Sequence, residues 1–210
     1  MYLKDSKQKD YKKFIQSRSK YSNLISYSDE LSNHNVFDKL LNERIIFLVG
    51  EINDYNTELI KANLLYLDSI SNEDITIYIN SGGGDVYSGL GLLDTMDYIN
   101  SDIRTINTGL AASMAAVILC SGEKGKRKAL KRSRTMIHQP LTYGGWMQQA
   151  SDIEIEAKEM NHIKNELYEI ISEKTGQVYD KVYKDGDRDY WMSSKDALKY
   201  GMIDEIVINR

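Results

Sequence analysis

Apolar and polar residues alternate between strand-like and helix-like patterns from about residue 36 onward. Three short aliphatic runs predict buried strands, at residues 44–49, 75–79 and 103–108. Apolar residues at helical spacing, or in a continuous stretch, predict helices at residues 59–70, 86–99 and 112–120. Strands and helices in this order imply right-handed βαβ crossovers and a mostly parallel sheet. The pattern therefore predicts an α/β fold.

The alternation stops after residue 138. Residues 141–150 contain two consecutive glycines and several polar side chains, which predicts an extended excursion from the core. Residues 152–174 then carry apolar side chains on one face, which predicts a long amphipathic helix. A last helix is predicted at residues 194–200 and a closing strand at residues 203–208. The excursion and the long helix together predict a projecting device for docking.

The first 34 residues differ in composition from the rest of the chain, since they are rich in Lys, Ser, Tyr and Asn. We expect a flexible arm over residues 1–34 and a single domain over residues 35–210. The net charge of −4 gives no overall attraction to nucleic acid or to an anionic membrane. The longest apolar stretch, residues 109–120, is too short to span a bilayer, and a single cysteine suits a reducing compartment. We therefore expect a cytoplasmic protein that binds neither nucleic acid nor membrane.

A serine and a histidine are placed where hydrolytic chemistry would need them. Ser113 lies among small residues, Gly-Leu-Ala-Ala-Ser-Met-Ala, where a strand meets an apolar helix. A hydroxyl becomes a useful nucleophile only when a base removes its proton and a third group holds that base. Of the three histidines, His34 lies in the arm and His162 in the long helix, whereas His138 ends an apolar strand. Ser113 and His138 are candidates for a catalytic pair, although each also fits a hydrogen-bonded core residue.

The third member of such a site is not selected by spacing. Asp189 lies in an Asp-Arg-Asp sequence, but the chain has 31 acidic residues. Its neighbours alone favour a surface charge or a helix cap.

Two strand-to-helix junctions offer backbone N–H groups. The glycines at 82–84 let the backbone turn sharply, and Met114 follows Ser113 at the start of a helix, where N–H groups lack partners. Such amides can stabilise the oxyanion of a tetrahedral intermediate by roughly 3–4 kcal/mol per donor. A tight turn also explains the glycines. They match no nucleotide loop, because Tyr87 stands where a dinucleotide fingerprint needs glycine and no Lys-Ser/Thr pair follows.

Metal and nucleic-acid sites have less support. One cysteine and three scattered histidines give no zinc spacing, so we expect no bound metal. Residues 124–134 contain seven basic side chains without interleaved aromatic residues, which favours a solvated face.

Over about residues 36–210, in order, the chain resembles the Clp protease family, the proteolytic subunits of ATP-dependent serine proteases. The resemblance includes both catalytic motifs and is closest to forms from Bacteroidetes-type bacteria. It is carried chiefly by Leu-Leu-Asn-Glu-Arg-Ile-Ile-Phe-Leu at 40–48, Tyr-Ile-Asn-Ser-Gly-Gly-Gly at 78–84, the Ser113 motif at 109–115, Met-Ile-His-Gln-Pro at 136–140 and Asp-Arg-Asp at 187–189.

This resemblance implies a crotonase-like α/β fold with mostly parallel sheets and a protruding strand-and-helix handle over residues 139–174. It also implies roles for five residues, with Ser113 as nucleophile, His138 as general base, Asp189 as orienting acid, and the N–H groups of Gly84 and Met114 as the oxyanion hole.

The same resemblance implies a homo-oligomer of two stacked heptameric rings that encloses the active sites, with Arg188 at the contact between rings. A hexameric AAA+ unfoldase would use ATP and feed unfolded polypeptides into the chamber, while the subunit itself would bind no cofactor. The docking pocket for the unfoldase maps to Tyr78, Tyr98, Ile106 and Leu130.

The sequence departs from the family pattern in places. Gly82 stands where the family usually has proline, which predicts a looser oxyanion loop. The handle is slightly longer than usual and carries Trp146. Thr76 and Lys128 replace bulky apolar residues of the docking pocket, and the first 34 residues match the family's axial-loop segment poorly.

The sequence thus predicts a self-compartmentalising serine endopeptidase that cleaves unfolded polypeptides to short peptides. One alternative is a non-catalytic or regulatory ring subunit, although the presence of Ser113, His138 and Asp189 argues against it. Another is a crotonase-type acyl-CoA enzyme, which shares the two-amide oxyanion hole but does not need the serine. A nucleic-acid-binding module is a more distant alternative.

Overall fold

A computed structural model describes residues 36–141 and 149–208. The strands are β1 (Ile45–Ile52), β2 (Ile75–Gly84), β3 (Ile103–Ala112), β4 (Arg127–Leu130), β5 (Arg134–Ile137), β6 (Tyr190–Ser193) and β7 (Glu205–Val207). The helices are α1 (Val36–Asn42), α2 (Asp54–Ile70), α3 (Val86–Tyr98), α4 (Met114–Cys120), α5 (Ala150–Thr175), α6 (Tyr179–Asp185) and α7 (Ser194–Tyr200).

The strands form one sheet in the order β1-β2-β3-β4-β7, and every pair along this path is parallel. Parallel strands need crossover connections, which α2 and α3 supply between β1, β2 and β3. The buried aliphatic side chains of β2, at Ile75, Ile77 and Ile79, alternate with more exposed positions. The predicted α/β fold with a mostly parallel sheet is confirmed.

Strand β3 divides its pairing between two neighbours. Residues 105–107 pair with β4, whereas residues 110–112 pair with β5. Strand β5 then pairs antiparallel with β6, the one antiparallel ladder among the described strands. The carboxyl ends of β3 and β5 therefore lie side by side, immediately before Ser113 and His138.

Helix α4 forms the centre of the core. All seven of its residues are buried, and it packs against β2, β3, β5, α3 and α5. A helix that is apolar on every side is stable only when it is enclosed. The buried side chain of Met114 fills the space above Gly89, where an added Cβ would meet the methionine side chain. The start of α4, and with it Ser113, is thereby fixed by the core.

Several boundaries differ from those predicted. Strands β2 and β3 continue through the small residues at their carboxyl ends, because neighbouring strands pair with Gly84 and Ala112 there. The short elements α1, β4, α6 and β6 were not predicted from the sequence, because packing against neighbouring elements decides them more than a local pattern does.

Residues Lys39–Arg210 form one compact unit. The predicted arm over residues 1–34 and the excursion that carries Trp146 lie outside the described residues, apart from the ends of that excursion. The helical part of the handle is α5, which spans 26 residues. Within the described ranges, no helix combines the length and the apolarity needed to cross a membrane.

Candidate active site

Ser113 occupies the turn between β3 and α4 with an unusual backbone conformation. Its φ of 56° and ψ of −128° lie outside the regions that most non-glycine residues adopt. The turn is held by the Ser113 N–H, which donates to the Met136 carbonyl of β5 at 2.9 Å, and by α4, whose Ala116 N–H donates to the Ser113 carbonyl at 2.9 Å. The hydroxyl makes no capping hydrogen bond to the helix, so it is available to a side-chain partner.

That partner is His138. The Nε2 atom of His138 lies 2.9 Å from Ser113 Oγ, and its Nδ1 atom lies 3.1 Å from Asp189 Oδ1. Because one ring nitrogen contacts the hydroxyl and the other a carboxylate, the contacts favour the tautomer with its proton on Nδ1. The structure therefore brings together the three residues that the resemblance selected.

The β5–β6 ladder explains how Asp189 reaches His138. In this antiparallel pair Ile137 is opposite Tyr190, and the next two residues outward along the ladder are His138 and Asp189. Residues opposite each other in an antiparallel pair lie within side-chain reach. The register of β6, a strand that was not predicted from the sequence, therefore places the Asp189 carboxylate, out of 31 acidic side chains in the chain, next to His138.

His138 and Asp189 differ in their exposure. The His138 side chain is 16% exposed, whereas the Asp189 side chain is 59% exposed. Solvent screens the attraction between an exposed carboxylate and a neighbouring charge. The arrangement therefore suits Asp189 to orienting the imidazole by hydrogen bonding more than to a strong electrostatic effect.

The glycine segment of β2 lies directly against the Ser113 turn. A Cβ at Gly83 would be 2.7 Å from Ser113 Cβ and 3.1 Å from Met114 N. A Cβ at Gly84 would overlap the backbone of Ile52, and both residues have positive φ, 94° and 152°. Only glycine allows this approach, which brings the backbone of β2 to the start of α4.

Gly82 differs from the two glycines after it. An added Cβ there would meet nothing within 4 Å, and its φ lies outside the left-handed region. In the sequence the three glycines form one run, but their surroundings differ, and Gly83 is the one in contact with Ser113.

Contacts from Gln139, in the loop after β5, and from Tyr168, on α5, hold the turn that leads to Asp189. Gln139 Nε2 donates to the Asp187 carbonyl at 2.8 Å, and the Tyr168 hydroxyl donates to the Gly186 carbonyl at 2.6 Å. Burial raises the pKa of Tyr168, so its hydroxyl stays protonated and able to donate. Sequence reasoning did not select Gln139 or Tyr168, and only the position of Gln139 next to His138 could have indicated it.

A small pocket opens beside the Ser113 hydroxyl, between α4 and α5. Its walls are mostly apolar and include Val86, Met114, Val117, Ile137, Pro140 and Leu167.

The residues of the predicted docking pocket lie mainly on one face of the sheet. Tyr78 is opposite Ile106, and Ile106 is opposite Lys128 on β4, two residues before Leu130. Tyr98 lies at the end of α3, with 79% of its surface exposed. Lys128, one of the departures from the family pattern, pairs with Glu205 at 2.6 Å.

Arg188 is exposed in the turn between α6 and β6, next to Asp189. Within the basic segment of residues 124–134, three side chains form ion pairs with carboxylates, namely Lys126, Arg127 and Lys128. Lys126 and Lys128 are partly exposed, whereas Arg127 is buried and pairs with Asp204 inside the fold, so the segment is a solvated face only in part.

The remaining candidates for chemistry have structural surroundings. Burial raises the pKa of the Cys120 thiol to about 12, which leaves it unreactive at neutral pH. His162 is exposed on α5, as its position in the sequence suggested. In residues 36–141 and 149–208, no group of His, Cys, Asp and Glu side chains is placed to hold a metal ion.

Comparison with known proteins agrees with the resemblance. The family model described as Clp protease matches residues 28–210. The chain is 56% identical over 176 residues to the ATP-dependent Clp protease proteolytic subunit of Bacteroides fragilis, which covers 83% of this chain and 84% of that protein. It is 57% identical over 173 residues to the protein of the same description from Porphyromonas gingivalis, covering 82% of this chain and 77% of the relative. This chain therefore belongs to the Clp protease family of serine peptidases.

Proposed function

We propose that the chain is a serine endopeptidase subunit in which Ser113 is the nucleophile, His138 the general base and Asp189 the residue that orients the base. The observation that carries this assignment is the continuous line of contacts from Ser113 Oγ to His138 Nε2, at 2.9 Å, and from His138 Nδ1 to Asp189 Oδ1, at 3.1 Å. Both distances lie within or close to the range for proton transfer and for holding an imidazole in one tautomer.

In the acylation step, Ser113 Oγ attacks the carbonyl carbon of the scissile peptide bond while His138 Nε2 accepts the hydroxyl proton. The carbonyl oxygen becomes an oxyanion. The tetrahedral intermediate then breaks its C–N bond, and His138 gives its proton to the leaving amine. Asp189 accepts the Nδ1–H hydrogen bond throughout and favours the transient imidazolium.

The N–H groups of Gly84 and Met114 are the proposed donors to that oxyanion. The close packing of Gly83 against Ser113 and Met114 supports this role, because it holds the glycine segment beside the nucleophile. Each such donor typically contributes about a hundredfold to a thousandfold in kcat. In the second half of the reaction, water attacks the acyl-enzyme with His138 again as base, and a short peptide with a free carboxylate is released.

We extend the proposal to assembly, because a serine peptidase with little sequence preference must be kept from folded proteins. The proposed homo-oligomer has two stacked heptameric rings, with α5 and Arg188 at the contact between them. Two apolar side chains near the start of α5, Ile153 and Ile155, are 53% and 67% exposed in the single chain. Surface of this kind often marks an interface.

The B. fragilis and P. gingivalis relatives are described as ATP-dependent. We infer by analogy that an AAA+ unfoldase hydrolyses ATP and delivers unfolded polypeptides to this subunit in the cytoplasm, with no cofactor bound by the subunit itself. Tyr78, Tyr98, Ile106 and Leu130 are the proposed docking residues for that unfoldase. Substitution of Tyr78 by Ala should abolish unfoldase-dependent protein degradation while leaving cleavage of short peptides intact.

A fluorophosphonate tests the assignment of the nucleophile, because it labels only an activated serine. Intact-mass analysis should show one adduct per chain, and peptide mapping should place it on Ser113. The His138→Ala variant should show no adduct. An adduct elsewhere, or peptidase activity in Ser113→Ala, would contradict the assignment, and acyl-CoA turnover that survives loss of Ser113 would favour a crotonase-type enzyme.

Native mass spectrometry of the same preparation tests the assembly. A tetradecamer is expected for the unaltered chain, and smaller species are expected for Arg188→Ala. A monomer that cleaves peptides at full rate would contradict the proposed need for rings.

A further inference from the structure

Lys164 of α5 lies between the loop that follows His138 and the helix that leads to Asp189. Its Nζ atom is 3.3 Å from Gln139 Oε1 and 4.2 Å from the centre of the Tyr183 ring on α6. The same ammonium lies 5.7 Å from the centre of the Tyr168 ring. Both aromatic faces attract a cation, so Lys164 is held at one place while it donates to Gln139.

Gln139 uses both ends of its amide in this arrangement. Its Oε1 accepts from Lys164, and its Nε2 donates to the Asp187 carbonyl at 2.8 Å. Gln139 directly follows His138, and Asp187 precedes Asp189 by two residues. A displacement of the Gln139 side chain would therefore be transmitted to the base and to the acid together.

The aromatic residues around Lys164 connect it to the same segment. Tyr168 and Tyr183 meet edge to face with ring centres 5.7 Å apart, and Tyr168 donates to the Gly186 carbonyl at 2.6 Å. Gly186 ends α6 and lies directly before Asp187. The neighbouring carbonyls of Gly186 and Asp187 thus accept hydrogen bonds from Tyr168 and Gln139. Both of these donor side chains lie next to the Lys164 ammonium.

Asp189 depends on such support because burial does not fix it. Its side chain is 59% exposed, whereas Tyr168 is fully buried. An exposed carboxylate in a turn keeps its position only when the turn itself is held.

We propose that Lys164 is a positioning residue for the catalytic triad, acting through Gln139 and Asp187 to set the placement of Asp189 relative to His138. This inference rests on the proposed function, since it assumes that His138 and Asp189 act on Ser113. Lys164 does not contact the reacting atoms. Its effect is on the geometry of the base and the acid.

The test compares Lys164→Met, Lys164→Arg and a matched control, Lys61→Met. Methionine keeps most of the lysine stem but loses the charge and the hydrogen bond, whereas arginine keeps both and also stacks on aromatic rings. Lys61 is a similarly half-buried lysine on α2 that pairs with Glu58. Assays are peptide turnover, fluorophosphonate labelling rate, oligomeric state and thermal unfolding.

In Lys164→Met we expect kcat and the labelling rate to fall by about tenfold to a hundredfold while KM stays unchanged, because small displacements of catalytic groups act on the chemical step. Lys164→Arg should recover most of the rate, and Lys61→Met should keep it. Gln139→Ala should reproduce the loss, and the double variant Gln139→Ala with Lys164→Met should lose no more than either alone. Gln139 is also the second variant, should Lys164→Met fail to assemble.

An unchanged kcat in Lys164→Met or in Gln139→Ala would overturn the inference. So would a loss that tracks a lower unfolding temperature and is not recovered by arginine, or an equal loss in Lys61→Met. These outcomes are separate from failure of the proposed function, which would appear as peptidase activity in Ser113→Ala or as absence of a Ser113 adduct in the unaltered chain.

Discussion

Ser113 and the glycines beside it lie at the carboxyl ends of the central strands β2 and β3, whereas Asp189 lies in an exposed turn between α6 and β6. The serine side of the site is built from backbone, with a strained residue at the start of a fully buried helix and glycines that approach too closely for any Cβ. The acid side is built from side-chain hydrogen bonds across long separations, such as Gln139 to Asp187, 48 residues apart.

This difference has consequences for how each side responds to change. The position of Ser113 is fixed by the packing of α4, so the nucleophile is preorganised as part of the core. The position of Asp189 depends on polar contacts near the surface, each of which adds little stability by itself. We expect changes to the backbone packing on the serine side, such as a side chain added at Gly83, to affect both folding and chemistry. Removal of a single polar group, Ser113 Oγ or the Asp189 carboxylate, should affect chemistry alone. Four substitutions, one of them with a pH dependence, test this distinction.

The largest effect is expected for Ser113→Ala, which removes the nucleophile. Peptide turnover should fall by about a million-fold, as in other enzymes with such a triad. The thermal unfolding midpoint should stay close to that of the unaltered chain, because the Ser113 hydroxyl makes no hydrogen bond that caps α4. Turnover and differential scanning calorimetry on the same assembled sample give both quantities, and a large loss of stability would show that the hydroxyl is also structural.

Asp189→Asn should be next, with kcat reduced by about ten-thousand-fold, since an amide can hold the imidazole in the wrong tautomer. Stability should not change, because the side chain is 59% exposed. Asp180→Asn, an exposed acid of α6, is the matched control and should keep full activity. An equal loss in the control, or a small loss at Asp189, would mean that another group orients His138.

Gly83→Ala should lower kcat by about a hundredfold to a thousandfold, because the new methyl group would displace Ser113 and the Met114 N–H. It should also lower the free energy of unfolding, since alanine is strained at a φ of 94°. Gly82→Ala is the matched control. Its methyl group meets open space, so we expect retained activity and a gain of about 0.4–1 kcal/mol in stability by chemical denaturation. Loss of activity in Gly82→Ala would show instead that mobility at this position is needed.

The smallest effect on activity is expected at the far end of α4. Arg127 pairs there with Asp204 and donates to the carbonyls of Cys120, at 3.1 Å, and Lys174, at 2.6 Å. Arg127→Met leaves a largely buried carboxylate without its partner and should lower the free energy of unfolding by about 3–5 kcal/mol. The kcat of the folded fraction should change little. A fall in kcat as large as that of Gly83→Ala would contradict the independence of the two ends of α4.

The same pair gives a pH dependence. Burial opposes ionisation of Asp204, but hydrogen bonds from Arg127 and Gly125 outweigh it and hold the pKa of the carboxyl below its ordinary value. A lowered folded-state pKa contributes stability above the unfolded pKa, about 3.9, and that contribution disappears as the pH falls through the folded value. The difference in the free energy of unfolding between the unaltered chain and Arg127→Met should therefore shrink as the pH falls below about 4, leaving the part that comes from the hydrogen bonds to Cys120 and Lys174. A constant difference would show that Asp204 is not the titrating group.

Sequence patterns were most informative where one element has a long, regular signal. The aliphatic runs of β1, β2 and β3 and the continuous apolar stretch of α4 correspond to elements in the structure, with ends shifted by a few residues. Patterns failed at β4 and β6, each four residues long, because pairing with neighbours decides so short a strand. The excursion after His138 and the arm before residue 35 remain predictions.

The sequence by itself determined the α/β class and the strand-to-helix position of Ser113, because local periodicity encodes them directly. The glycines showed where the backbone could turn sharply, but only the structure showed that Gly83 packs against Ser113. Family resemblance, rather than spacing, selected Asp189. Only the tertiary structure decided that Asp189 lies opposite His138, and that Lys164, Gln139 and Tyr168 hold the loops that carry them. Those contacts join residues that are far apart along the chain, and strand register and helix packing, which no local pattern records, bring them together.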